Sequence, residues 1–348
     1  NPKSIKGRYM PQYIQELGHE IRSFTPKWGI INERRNQLHE VIRLSGMNLI
    51  IDDTDHPLII KVSSIQAARM QIYFIDNDDY FMKRTMAEDP NGEEYTDNGE
   101  RAIFYARGVL ETVKKLGWTP DVIHCHDWQT GLIPVYLKEN FSGSEFFQGM
   151  KSVMTIHNLK FQGVYDIKTV KNITGLDSSY FAPDKLAYFK DANLLKGGLT
   201  YADAITTVSQ TYAEEIKPAF YGEKPEGLLT ARSNDLRGIV NGIDYDEYNP
   251  ETDPYIVRKY NASNFRKEKI KNKEYERLEY KDDIEIITDD KSISIKDISL
   301  NLLEVKNSLS NDKHFLYFTI DESSIYSFVF LSFLKFAFPR NLLRYSIR

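Results

Sequence analysis

The chain has 348 residues, a formal net charge of −5, a single cysteine and 13% aromatic residues. This length is ample for a hydrophobic core in two domains of ordinary size or in one large domain. The mild acidity argues against nucleic acid as the main partner, because a nucleic-acid-binding protein is expected to carry a basic face. The lone Cys125 excludes an internal disulfide framework and favours a reducing, cytoplasmic compartment.

The first third of the chain is predicted to form a short helix, several antiparallel strands and one long amphipathic helix. Apolar runs bounded by turn residues indicate the strands, and apolar residues at helical spacing indicate the long helix. The predicted segments are a helix over Tyr9–Leu17, strands over Glu20–Phe24, Leu49–Ile51, Leu58–Val62 and Met70–Ile75, and a helix over Glu100–Leu116.

The stretch from Asp121 to Gly131 (DVIHCHDWQTG) combines a short apolar run with polar residues at its end. The run is typical of a buried strand in a parallel sheet. A helix is expected from Gln129 to about Glu139, so that His126 and Asp127 lie where the strand ends. Ligands of open α/β sheets bind at this carboxyl edge.

The same pattern returns three times, because further β-branched runs are also closed by polar side chains. They are 152–156 followed by His157–Asn158, 204–208 followed by Ser209, and 238–240 followed by Asn241–Gly242. If these strands share one parallel sheet, their ends line a single crevice. Helices are expected between them, over Asn193–Tyr201, Thr211–Ile216 and Gly227–Arg232.

Composition changes after about Ser263, since the last glycine is Gly242 and the only proline beyond residue 263 is Pro339. Doubly wound half-domains need glycine in their turns, so this tail is expected to differ from one. We expect a solvated helix followed by strands, or a segment translated past a frameshift. The apolar run Ile325–Phe338 is shorter than the ~20 residues of a membrane-spanning helix, and no membrane partner is expected.

Several local patterns allow two interpretations. His124 and His126 lie on the same side of a strand and could bind a metal ion, but a site needs a third and a fourth ligand, and His124 could simply pack in the core. Asp127 could cap the following helix or bind a ligand. Trp128 offers a flat apolar face on which sugar rings stack. The pair Gly197–Gly198 is interpreted as a close helix contact, because it lacks the order of a phosphate loop.

Four blocks in this order resemble the N-terminal half of bacterial glycogen synthases and plant starch synthases. The resemblance covers roughly Tyr9 to Tyr255. The blocks are HCHDWQTGL from His124, TIHNLKFQG from Thr155, LKGGLTYAD from Leu195 and VNGID from Val240.

The resemblance implies a glycosyltransferase fold of two facing doubly wound, Rossmann-like halves (GT-B), of which residues 1–255 would form the N-terminal, acceptor-side domain. It implies transfer of glucose from ADP-glucose to the non-reducing end of an α-1,4-glucan, with retention and without a metal or other cofactor. Two residues match the family's catalytic groups that hold the donor glucose, Asp127 and His157. Four residues match its substrate-binding groups: Trp128, Asn158, Gln162 and Asn241.

Two departures from the family pattern limit what is expected of this chain. The family's opening strand with its Lys-x-Gly-Gly loop is not present, and residues 256–348 form an atypical tail without the second domain's Arg, Lys and Glu. Little or no synthase turnover is therefore predicted. Two alternatives stay open: a non-catalytic glucan-binding module, and a metal-dependent hydrolase using His124, His126 and His157.

Overall fold

The computed structural model describes residues 10–65, 69–139, 141–218, 226–242, 245 and 248–279, together with the strand segments 285–288, 291–294, 301–308 and 313–319. The chain divides into two compact units, Asn1–Gly242 and Ile243–Arg348. This division lies near the domain boundary at residue 255 placed from the sequence, which stays a prediction. The two units are described separately.

The first unit alternates strands and helices after an initial antiparallel region. Its strands are β1 (Arg22–Pro26), β2 (His39–Glu40), β3 (Met47–Ile51), β4 (Thr54–Ile65), β5 (Met70–Asp76), β6 (Val122–His126), β7 (Lys151–Ile156), β8 (Val164–Asp166), β9 (Ala187–Tyr188), β10 (Asp191–Asn193), β11 (Ala204–Thr207) and β12 (Leu236–Gly238). Its helices are α1 (Met10–Glu16), α2 (Asp78–Phe81), α3 (Asn98–Leu116), α4 (Leu132–Lys138), α5 (Ile167–Thr174), α6 (Leu194–Tyr201), α7 (Gln210–Glu215) and α8 (Glu226–Ala231).

The four strands predicted to share a sheet do so, in the order β12-β11-β7-β6. All neighbouring pairs are parallel, and in the register His126 lies beside Thr155, which in turn lies beside Thr206. Strands that run in the same direction end at the same edge, so the polar residues that follow them are gathered there. The predicted parallel sheet is confirmed, and the ligand crevice at its edge stays a prediction.

One face of this sheet is buried under helices. Cys125, Met154 and Ile205 are at most 1% exposed, and α4 and α6 pack against each other. Gly198 of α6 lies so close to Gly131 that an added Cβ would be 2.9 Å from the Gly131 Cα. Such a separation excludes any side chain, which confirms the interpretation of Gly197–Gly198 as a close helix contact.

The antiparallel region forms a second, mixed sheet in the order β1-β5-β4-β2, with β3 also paired to β4. The strands β3, β4 and β5 follow one another antiparallel, as predicted, and β1 adds to β5 in parallel. Helix α3 packs on this sheet through Gly108, where an added Cβ would be 2.9 Å from Ile75, and it also contacts α4 and α5. The long predicted helix therefore joins both sheets into one core.

Several element boundaries differ from the expectation, and two of them lie at the edge of the parallel sheet. The helix expected from Gln129 begins as a separate 3₁₀ turn over Trp128–Thr130, and the α-helix proper is Leu132–Lys138. The last strand is Leu236–Gly238 rather than 238–240. An added Cβ on Gly238 would be 2.2 Å from the Ser209 carbonyl oxygen, so Gly238 ends the paired strand against a neighbouring loop.

In the second unit, α9 spans Phe265–Glu279, which confirms the expected solvated helix after residue 263. It is followed by two antiparallel pairs, β13 (Glu285–Thr288) with β14 (Lys291–Ser294), and β15 (Asn301–Ser308) with β16 (Lys313–Thr319). The apolar run Ile325–Phe338 lies outside the described residues. Among the residues that are described, no helix has the length and apolar character needed to cross a membrane.

Candidate functional site

The crevice edge is organised by Asp127, whose backbone is strained. Its φ of 57° and ψ of −176° fall in a region that residues other than glycine rarely occupy, at a cost of about 1–3 kcal/mol. The Asp127 amide donates to the Thr155 carbonyl oxygen at 3.0 Å, and the Asp127 carbonyl accepts from the Thr130 hydroxyl at 3.0 Å. Strained backbone of this kind concentrates at functional sites.

The Asp127 side chain does not cap the following turn, so the expectation of a helix cap is wrong. Its Oδ1 instead accepts a hydrogen bond from the backbone N–H of His157 at 2.8 Å. A hydrogen bond to a carboxylate is worth about 1.5–3 kcal/mol, which is comparable with the strain in the Asp127 backbone. The two segments predicted to meet, after β6 and after β7, are thus joined directly.

Three histidines follow one another along this edge. His126 Nδ1 lies 3.1 Å from His157 Nε2, and the His124 and His126 ring centroids are 4.3 Å apart. His124 Nε2 lies 2.6 Å from the Thr155 hydroxyl. The same sheet face therefore carries a continuous row of groups that can donate and accept protons in hydrogen bonds.

The loop after β7 is fixed by its own amide side chains. Asn158, which is exposed, accepts a hydrogen bond from the Lys160 amide at 3.0 Å, and this turn orients its side chain at the rim. The Gln162 side chain accepts from Asn193 Nδ2 at 2.6 Å and donates to the Leu159 carbonyl at 3.1 Å. Gln162, predicted to bind substrate, therefore also stabilises the loop.

Trp128 is placed differently from the expectation of an open stacking face. It is only 9% exposed, and its ring centroid lies 5.9 Å from that of Tyr165. Gly163 lies directly against it, because a Cβ added at Gly163 would be 2.3 Å from Trp128 Cε3. Most of the indole is therefore covered in this structure, and the substrate-binding role given to Trp128 from the sequence stays a prediction.

Asn241 lies at the far end of the same sheet. It is exposed and comes three residues after the end of β12. Within the described part of the chain, no hydrogen bond connects it to Asp127 or His157. The structure therefore joins Asp127 to His157 by a hydrogen bond, whereas Asn241 follows β12, which is separated from β7 by β11.

Sequence reasoning did not single out Asn193, Gly163 or Tyr165. Asn193 is fully buried, and its Oδ1 accepts from the Lys196 amide at 2.8 Å while its Nδ2 holds Gln162. An asparagine directly before a helical run is a capping signal, so Asn193 could have been found. The contact between Gly163 and Trp128 depends on tertiary packing and leaves no signal in the sequence.

The thiol at this edge is not activated. Burial raises the pKa of Cys125 to about 12, while a hydrogen bond from Thr130 lowers it in part. A thiol in this state is a poor nucleophile and a poor metal ligand at neutral pH. Among the described residues, no group of three or more His, Cys, Asp or Glu side chains is arranged to hold a metal ion.

A parallel sheet whose strand ends carry a polar crevice defines an α/β unit of the ligand-binding type. The sequence profile described as "Starch synthase catalytic domain" matches residues 7–231, which is more than half of the chain. The chain belongs to this family.

Curated relatives agree with that assignment. The chain is 50% identical over 268 residues to a protein named "Glycogen synthase" from Lachnospira eligens, a match that covers 76% of this chain and 53% of the relative. It is 40% identical over 256 residues to a protein of the same name from Thermotoga petrophila, with 73% and 51% covered. The chain thus spans about half the length of the curated relatives that it matches.

A solved structure has the same fold. It is the catalytic domain of starch synthase IV from Arabidopsis thaliana, bound to ADP and acarbose, with a TM-score of 0.64 and 25% identity. The match covers 81% of this chain and 55% of that one. The expected Rossmann-like N-terminal domain of a GT-B glycosyltransferase is therefore confirmed.

Proposed function

We propose that this chain forms the acceptor-side half of a glucosyltransferase that uses ADP-glucose to extend the non-reducing end of an α-1,4-glucan with retention. The observation that carries the proposal is the direct bond between the Asp127 carboxylate and the His157 amide at 2.8 Å, at the edge of the parallel sheet. The family assignment and the ligands of the solved relative support the same substrates. The proposal places the enzyme in the cytoplasm and requires no cofactor.

Glucosyl transfer passes through a transition state with oxocarbenium character. Fixed dipoles and hydrogen bonds stabilise such a charge well, because they need no reorganisation when it develops. In the proposal, Asp127 fixes the His157 backbone and His126 holds the His157 ring at 3.1 Å, so that the ring can bind a sugar hydroxyl. Asn158, exposed at the rim, would bind the next sugar.

Binding can be tested on the chain as it is, by electrophoresis in gels that contain glycogen. We expect the wild type to be retarded, and a rim variant that combines His157→Ala with Asn158→Ala to migrate faster in glycogen than the wild type. A matched control combines His39→Ala with Asn48→Ala, at exposed positions of β2 and β3. Circular dichroism confirms that each variant is folded.

The control should be retarded as strongly as the wild type. A rim variant that is retarded equally would contradict glucan binding at this crevice.

We further expect no incorporation of glucose from ADP-glucose into glycogen by the chain alone, since it spans about half of its curated relatives. The Lachnospira eligens relative serves as the comparison protein in that assay. Clear turnover by the chain alone would overturn the acceptor-half assignment.

A non-catalytic glucan-binding module is the second candidate. A module of this kind would be retarded in glycogen in the same way, but it would support no glucose transfer in any assembly. The observation that favours this candidate is that the chain spans only about half the length of its curated relatives. The metal-dependent hydrolase finds no ligand cluster among the described residues to support it.

A further inference from the structure

A group of four charged side chains lies at the carboxyl ends of β1 and β5, which are neighbouring parallel strands. Lys27 directly follows β1, and Asp76 is the last residue of β5. Lys61 comes from β4, which pairs with β5, and Glu33 comes from the loop between β1 and β2. Ligands of α/β sheets bind at the carboxyl ends of parallel strands, and the proposed function uses none of these four groups.

Two lysines of this group bind the same oxygen atom. Lys27 Nζ lies 2.7 Å from Glu33 Oε1, and Lys61 Nζ lies 2.8 Å from that oxygen and 2.8 Å from Asp76 Oδ2. The two ammonium groups are therefore one hydrogen bond away from a shared atom, and the lysine side chains are only 10% and 17% exposed. Two cations held this close, away from most solvent, require an anion between them.

The two carboxylates of the group are held in different ways. The Asp76 side chain is 3% exposed at the end of a strand, whereas the Glu33 side chain is 40% exposed and belongs to a loop. That loop has other anchors, because the Gly29 amide donates to a carbonyl in the segment after α2 at 2.7 Å. The Ser63 hydroxyl donates to the Asn36 carbonyl, also at 2.7 Å. Rotation of the Glu33 side chain would thus vacate its place without releasing the loop.

The charges of the group favour the exchange of Glu33 for another anion. The two lysines hold the pKa of Glu33 below its usual range, so its carboxylate is ionised. Burial would lower the pKa of Lys61, but Asp76 and Glu33 raise it, so its ammonium keeps its charge. With Glu33 turned away, two ammonium groups face the single carboxylate of Asp76. A ligand group with one negative charge restores neutrality there.

A phosphoryl group has the chemistry that this place requires. It carries negative charge on several oxygens, so each ammonium group can donate to an oxygen of its own, and lysine binds phosphate as a point charge. Arg34 and Arg35, both exposed and next to Glu33 in the loop, add to the positive potential that attracts an anion. A neutral sugar would not balance the lysine charges, and a metal cation would be repelled by them.

We infer that Lys27 and Lys61 form a binding site for a phosphoryl group, and that the Glu33 carboxylate occupies this site as an internal substitute for the ligand. The phosphoryl group belongs either to free phosphate or to a nucleotide. Because a ligand must displace Glu33, the affinity of the wild type is reduced by the fraction of molecules in which the site is closed. The inference does not depend on glucan binding at the crevice.

Four variants separate the parts of this site. Glu33→Ala removes the internal carboxylate and leaves both lysines, and Glu33→Gln removes its charge while keeping its volume. The double variant K27M/E33A also removes one lysine but keeps an apolar side chain of similar length. It should be at least as stable as Glu33→Ala, because it lacks an ammonium group left without its partner. Glu214→Ala is the matched control, since its carboxylate pairs with a single lysine, Lys217, at 2.9 Å.

The test is urea unfolding at constant ionic strength, in which phosphate replaces chloride stepwise, and in a second series with ADP-glucose. The rise of the midpoint with ligand concentration gives an apparent Kd. We expect the Kd of Glu33→Ala to be at least about tenfold lower than that of the wild type, and the Kd of Glu33→Gln to change in the same direction. K27M/E33A and Glu214→Ala should respond like the wild type, which reports the general stabilisation of proteins by phosphate.

The outcomes decide both the site and the source of its ligand. Stabilisation of Glu33→Ala by phosphate supports a site for the free ion, and stabilisation by ADP-glucose alone supports a site for a nucleotide. If neither ligand stabilises Glu33→Ala more than the wild type, or if K27M/E33A responds as strongly, the inference is overturned and the four charges are only an ion-pair network. Glu33→Ala should be retarded in glycogen gels as strongly as the wild type, so glucan binding is judged separately.

Discussion

Asp127 allows a direct test of how the strained turn at the crevice is held. Three substitutions separate its two contributions, the backbone strain and the bond from its carboxylate to the His157 amide. Asp127→Ala keeps the strain and removes the bond. Asp127→Gly removes both, and Asp127→Asn keeps an acceptor oxygen but loses its charge.

The magnitudes follow from the geometry. Loss of the 2.8 Å bond should cost about 1.5–3 kcal/mol, so Asp127→Ala is expected to be destabilised by that amount. In Asp127→Gly the relief of about 1–3 kcal/mol of backbone strain offsets most of this loss. The greater freedom of glycine in the unfolded chain costs about 0.5–1 kcal/mol and reduces that gain. Asp127→Asn should lose about 1 kcal/mol, because a neutral acceptor makes the weaker bond.

Urea unfolding followed by tryptophan fluorescence measures these differences, with unchanged m-values as the check that the transition is comparable. The expected order of stability places the glycine and asparagine variants close to the wild type and the alanine variant clearly below both. An alanine variant as stable as the glycine variant would refute the reasoning, because it would mean that Asp127 is not strained.

Three further predictions concern packing, pH and reactivity. Gly163→Ala should lower the free energy of unfolding in urea by about 1–3 kcal/mol more than Gly175→Ala does. Both glycines have a positive φ, but only at Gly163 would the added Cβ lie 2.3 Å from Trp128. Equal losses would show that the loop can shift. Burial would raise the pKa of Asp203, but its ion pairs and hydrogen bonds lower this pKa to about 2. The carboxylate therefore adds about 1–2 kcal/mol to the free energy of unfolding at pH values above its pKa in the unfolded chain, and this contribution is lost as the pH falls through about 2. Asp203→Asn should flatten stability over that acidic range, and an unchanged pH profile would contradict the assignment. Cys125 should react with a thiol reagent only as fast as the protein unfolds, since its pKa is raised to about 12; rapid reaction in native buffer would show that the edge is open.

Much of the fold could be predicted because the pattern that specifies it is local. The apolar runs at 121–125, 152–156 and 204–208 form β6, β7 and β11 in one parallel sheet, since short apolar runs bounded by polar residues suit strands of such a sheet. The first run was expected to be a buried strand, but Val122 and His124 are exposed in β6 and only Cys125 is fully buried. The Gly197–Gly198 contact was also legible, because a pair of glycines inside a helical run needs a reason to be tolerated.

The missed details depend on groups that are distant in sequence. The sequence around the strand end could not show whether Asp127 caps the next helix or bonds elsewhere, because its partner, the His157 amide, is thirty residues away. The burial of Trp128 depends on Gly163 and Tyr165 packing over it. Both features come from how loops fold over the sheet edge, which neither propensity nor period specifies.

The central claim is that the residues after β6 and β7 form one sugar pocket, and the histidine rings report on it most directly. Two-dimensional NMR of the ¹⁵N-labelled imidazoles should show the His126 and His157 signals shifting together as maltohexaose is added, because their ring nitrogens are 3.1 Å apart. The signal of His39, exposed on β2, should stay in place. If maltohexaose at a concentration that abolishes retardation in glycogen gels left the signals of His126 and His157 unmoved, the pocket would lie elsewhere and the account would be contradicted.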